Sequence, residues 1–72
     1  MSRMRVQIVS LKPGDDKGLL SRTGTIRSII DGKLCIVALD GGGQVHIDIK
    51  HLNLILDGGR QVPFDMKFFK PI

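Results

Sequence analysis

Residues 24–50 read GTIRSIIDGKLCIVALDGGGQVHIDIK, and the reading of this stretch decides the fold. Asp31-Gly32 is a strong hairpin signal, because the favoured tight turns need residues that accept positive φ. Before it, TIRSII is one strand. After it, KLCIVAL is apolar on both faces from Leu34 to Leu39, the pattern of a central strand covered on both sides. Asp40 with Gly41, Gly42 and Gly43 makes the next turn. Val45, Ile47 and Ile49 then alternate with Gln44, His46, Asp48 and Lys50, a period of two that marks a half-buried strand.

The same alternation extends in both directions. Met4, Val6 and Ile8 alternate with Arg5 and Gln7, which predicts a first strand over about residues 4–11, broken by Pro13-Gly14 and the turn-forming sequence DDKG. Downstream, His51, Leu52 and Asn53 fit a single 3-10 turn before a short strand over residues 54–56, closed by Asp57-Gly58-Gly59. In the remaining RQVPFDMKFFKPI, Val62, Phe64, Met66 and Phe68 alternate with Gln61, Pro63, Asp65 and Lys67. Pro63 has no N–H to give a ladder, so this segment is expected as an edge strand or as a segment lying across the barrel mouth. Short strands punctuated by Gly, Asp and Pro predict a small antiparallel barrel over residues 1–56 and an amphipathic extended tail over 57–72, packed on the barrel or on a partner.

Composition agrees. All seven acids are Asp and the one alanine is Ala38, so two strong helix formers are nearly absent. A chain of 72 residues buries only about 60% of the surface of its unfolded form, too little for most enclosed active sites. The net charge of +4 mildly favours an anionic partner. Cys35 has no second cysteine to pair with and lies in an apolar run, as a small buried residue in a reducing compartment does. No apolar run approaches a membrane span and residues 1–4 carry no signal-peptide core, so the expected location is cytoplasmic.

With its strands placed, the chain resembles the KOW-type SH3-like barrels of ribosomal proteins and transcription elongation factors. Val6-Gln7-Ile8-Val9 corresponds to the leading strand, Gly14-Asp15-Asp16-Lys17-Gly18 to the Lys-Gly turn, and Gly24-Thr25-Ile26 to the start of the second strand. The resemblance covers residues 4–56 and implies an all-β, SH3-like barrel of five to six short antiparallel strands, and RNA binding. It departs from the pattern at residues 19–23, an insertion between Gly18 and Gly24. A weaker similarity to the Sm-like fold, carried by GTIRSIIDGKLCIVALDGG and VHIDIKHLNLI, also implies RNA binding. A peripheral photosystem I subunit of the same fold is similar too, and that likeness implies docking of proteins.

The residues narrow the chemistry further. The spacing of Gly14, Gly18 and Gly24 fits neither a Walker loop nor a dinucleotide fingerprint, and Asp15-Asp16 repels phosphate, so no nucleotide cofactor is expected. Lys12, Lys17, Arg22 and Arg27 cluster, and Arg3 and Arg5 precede them, which makes these six the candidate contacts to a nucleic-acid backbone. Trp and Tyr are absent, so the usual base-stacking platform is missing. His46, Asp48 and His51 match no zinc spacing, and no nucleophile–base set can be assembled, so neither a metal site nor an enzyme is expected. The rival to nucleic-acid binding is a protein-interaction or self-association module, with Phe64, Met66, Phe68 and Phe69 of the tail, and a strand edge, as the partner surface.

Overall fold

The computed structural model describes residues 4–64. It is all-β, with strands β1 (Arg5–Ile8), β2 (Thr23–Ile30), β3 (Leu34–Leu39), β4 (Gln44–Asp48), β5 (Leu52–Ile55) and β6 (Gln61–Pro63). All pairings are antiparallel, in the sheet order β4-β3-β2-β1-β5-β6.

The core shows that this sheet curls into a barrel. Val6 and Ile8 of β1, Cys35 and Val37 of β3, Ile47 of β4 and Leu52 and Leu54 of β5 form one buried cluster. In a flat sheet β4 and β5, four strand spacings apart, would lie about 19 Å from each other. Side chains cannot meet over that distance, so the sheet must roll up. A 3-10 turn at Ile49–His51 carries the chain from β4 to β5.

β2 serves both of its neighbours. Its first residues pair with β1, Val6 opposite Gly24, while residues 24–30 pair with β3. A register shift between Ile26 and Ser28 leaves Arg27 as an extra residue. Strict alternation would point Ile26 and Ile29 to opposite faces; the bulge lets both pack on the core. Gly24 lies where β2 serves both neighbours. A Cβ there would stand 2.5 Å from the Ala38 carbonyl oxygen and 2.7 Å from Cγ1 of Val37, so only glycine lets β2 approach β3 this closely.

Several expectations are refined. The strands expected at residues 4–11 and 54–56 run over Arg5–Ile8 and Leu52–Ile55. The turn before β5 comes earlier than residues 51–53 because the Asp48 carboxylate accepts the Lys50 N–H at 3.0 Å and starts it directly after β4. Three 3-10 turns occur among the described residues rather than one, the others at Lys17–Leu19 and Asp57–Gly59. β3 is covered on one face only: Cys35 and Val37 are buried, while Leu34, Ile36 and Ala38 are half-exposed. One curled sheet has no second layer to cover its outer face.

Of the segment 57–72, residues 61–63 form edge strand β6 on β5. Phe64 is 8% exposed and joins the core cluster. Met66, Phe68 and Phe69 lie outside the described residues.

Replacing Gly24 by alanine is expected to cost about 2 kcal/mol or more, the scale of forced overpacking, and to lower the urea midpoint without changing the m-value. An unchanged midpoint would show that β2 and β3 can separate at this point without loss.

Candidate functional site

Two of the candidate phosphate contacts are bound within the chain. The Arg5 guanidinium on β1 grips Asp40, at the end of β3, through Nη1–Oδ1 at 2.8 Å and Nη2–Oδ2 at 2.6 Å, and donates to Oγ1 of Thr25 at 3.2 Å. Thr23 Oγ1 donates to Oδ2 of the same carboxylate at 2.7 Å. Arg22 Nη2 donates to the Asp40 carbonyl oxygen at 3.2 Å. These contacts tie β1, the start of β2 and the β3–β4 turn at one corner. The turn itself runs through Gly41, Gly42 and Gly43 at φ 91, 116 and 89, values that side chains other than glycine rarely adopt.

The Arg5 hydrogen bond, then that of Thr23, holds the Asp40 carboxyl well below the usual carboxylate range. The same hydrogen bond raises the Arg5 pKa. Both side chains remain accessible, 39% for Arg5 and 50% for Asp40, so solvent screens the pair. Among the described residues this is the one ion pair.

Lys12, Lys17 and Arg27 therefore have no ion-pair partner among the described residues, and neither do Lys33, Lys50 and Arg60. Lys12 and Lys50 line one cleft of about 190 Å³, with His46, His51, Asp15 and Asp48 on its walls. The Lys33 carbonyl accepts the Ile49 N–H at 2.9 Å, which sets the β2–β3 turn beside the turn that carries Lys50. The aspartates of this region are used as caps. Asp15 accepts from the Lys12 N–H at 3.3 Å, Asp16 from the Gly18 N–H at 2.8 Å, and Asp48 from the Lys50 N–H.

His51 is buried, with Nδ1 2.8 Å from the Ser10 hydroxyl. No buried side-chain nitrogen or oxygen among the described residues lacks a hydrogen-bond partner, so its Nε2, which has none, keeps some exposure, and His51 is one of the residues that line the cleft. Sequence reading placed His51 at a turn and missed its burial, because the contact with Ser10 spans 41 positions in the chain. Among the described residues no three His, Cys, Asp or Glu side chains gather as a metal set. Cys35 is buried, and burial, then the charge of Asp48, pushes its thiol up to about 11. It is poorly suited to act as a nucleophile at neutral pH.

A larger groove of about 510 Å³ lies between Met4, Arg5, Leu54, Leu56, Asp57 and Arg60. Its Arg5 is already held by Asp40. Residues 19–23, the insertion relative to the KOW pattern, pack along β1: the Ser21 N–H donates to the Ile8 carbonyl at 2.8 Å and Gln7 Nε2 donates to the Ser21 carbonyl at 2.9 Å. Ser21 takes φ 70 to do so. Lys17 and Arg27 lie on a 3-10 turn and on the β2 bulge, and Arg3 is outside the described residues. No described helix is long and apolar enough to cross a membrane. The chain matches no protein-family profile, no curated protein and no solved structure.

A depressed carboxyl pKa stabilises the fold above the ordinary aspartate value of about 3.9 and ceases to do so as pH falls through the folded-state value. Asp40→Asn is therefore expected to lower the thermal midpoint at neutral pH, and the gap to wild type should narrow below about pH 4. A gap that stays constant on acidification would mean the carboxylate charge of Asp40 contributes nothing.

Proposed function

We propose that the chain is a small non-catalytic module that binds nucleic acid, RNA foremost, through its phosphate backbone. The observation that carries the reading is that Lys12 and Lys50 stand beside His51 in one cleft with no ion-pair partner among the described residues, the Asp15 and Asp48 carboxylates of the same cleft being turned to backbone N–H groups. Lysines free of carboxylate partners exchange condensed counterions for phosphates and gain affinity from their release. Lys33, whose carbonyl accepts the Ile49 N–H, lies beside the cleft, and Lys17 and Arg27, without ion-pair partners among the described residues, are further candidate contacts. Arg5 and Arg22 take a lesser part, because a phosphate would compete there with Asp40. The resemblance to KOW-type and Sm-like barrels supports RNA as the first choice. With no tryptophan or tyrosine to stack on bases, binding tolerates sequence.

In a low-salt titration with mixed-sequence single-stranded RNA, binding tighter than about 100 μM is expected. The log of the affinity should fall with log salt by about 0.7 for each phosphate contacted. Lys12→Ala with Lys50→Ala should weaken binding and flatten that slope by roughly one to one and a half, whereas Arg5→Ala should change it little. Absence of binding at low salt, or an affinity indifferent to salt, would sink the proposal.

A further inference from the structure

The two edges of the sheet differ in a way that the hydrogen-bond phase makes readable. On β6, the Phe64 N–H donates to Leu52 at 3.2 Å and the Leu56 N–H to Arg60 at 2.6 Å, so Val62 bonds to β5 while Gln61 and Pro63 turn their backbone groups outward. Pro63 thus loses no ladder bond and removes an N–H from the exposed edge, a recognised way of blocking strand addition. On β4, the Leu39 N–H donates to Gly43 and the Ile49 N–H to Lys33, both at 2.9 Å. In that phase Val45 and Ile47 bond to β3, and Gln44, His46 and Asp48 turn their backbone groups away from the sheet. Among the described residues nothing pairs with that side, and it carries no proline or bulge.

We propose that two copies of this chain associate through the outer edge of β4, as an antiparallel pair about a two-fold axis at His46. The side chains select the partner and the register. Centred on His46, the strand sets Gln44 opposite the second copy's Asp48, where an amide can donate to a carboxylate, and sets the two His46 rings side by side. All three outward residues then find strand partners, with two ladder bonds for each pair. Centring on Asp48 opposes the two Asp48 carboxylates, and centring on Gln44 opposes Asp48 to Asp40; like charges directly opposite destabilise a pair. Centring on Val45 or Ile47 leaves one outward residue of each strand without a strand partner. The contact joins the two sheets through β4 and extends the inner rows of Val45 and Ile47 across the axis. It goes beyond nucleic-acid binding; because His46 and Asp48 also line the Lys12–Lys50 cleft, it is tested without nucleic acid, which keeps the two outcomes distinguishable.

Amide hydrogen exchange by NMR on the full chain, at low and high concentration beside light scattering, tests this directly. Protection at Gln44, His46 and Asp48 is expected to rise with concentration as the mass goes to twice the 7.9 kDa of one chain. His46→Pro should hold the protein monomeric with the β3–β4 ladder still protected, since the His46 N–H makes no bond among the described residues; Gln44→Pro serves if that variant does not fold. A monomer at every concentration would overturn the proposal. So would a dimer whose three amides exchange freely, or protection independent of concentration, which would place a segment of the same chain on this edge.

Discussion

The fold depends on how closely β2 can approach β3 at Gly24. At that residue β2 pairs with Val6 on one side and Leu39 on the other. A methyl group would collide with the Ala38 carbonyl and with Val37, which is fully buried. The close approach, with the bulge at Arg27, lets one strand turn from β1 toward the β3–β4 hairpin. That turn brings Ile47 and Leu54 into one core, although three strands separate β4 from β5 in the sheet. Without it the apolar face would spread over a flat sheet that a chain of 72 residues has no second layer to cover.

Curling also sorts the charges. Asp40 ends β3 where the rolled sheet brings it to β1, so its carboxylate takes Arg5 and its carbonyl takes Arg22. Asp15, Asp16 and Asp48 are spent on backbone N–H groups at turns. The lysines around the Ile49–His51 turn form no ion pair among the described residues. The charges are thereby divided between a corner where Arg5 and Arg22 are held by Asp40 and a cleft where Lys12 and Lys50 stand with Asp15 and Asp48 but form no ion pair among the described residues.

Much of the fold was legible in the sequence because period-two patterning and Gly-Asp turns are local signals. The segment KLCIVAL contains β3, Leu34–Leu39, and the Asp31-Gly32 turn has both residues at positive φ. Pro63 located an edge strand correctly. What could not be read depends on distant residues. Gly24 looks like a turn glycine, but its role is steric and lies in its contact with Val37 and Ala38. The Ile26–Ile29 spacing breaks alternation, and only the register with β3 identifies it as a bulge. In the candidate site, clustering along the chain grouped Arg5 and Arg22 with Lys12, whereas folding gives the arginines to Asp40 and joins Lys12 to Lys50, 38 positions away. No pattern of nearby residues carries that information.

The proposed nucleic-acid interface is the Lys12–Lys50 cleft rather than the Arg5–Asp40 corner. Amide chemical-shift mapping with a short RNA at low salt tests it most directly. Shifts are expected to concentrate at Lys12, Lys33, Lys50, His46 and His51, with Arg5, Thr23 and Asp40 nearly still. Shifts centred on Arg5, Arg22 and Asp40, or none at any concentration of RNA, would contradict it.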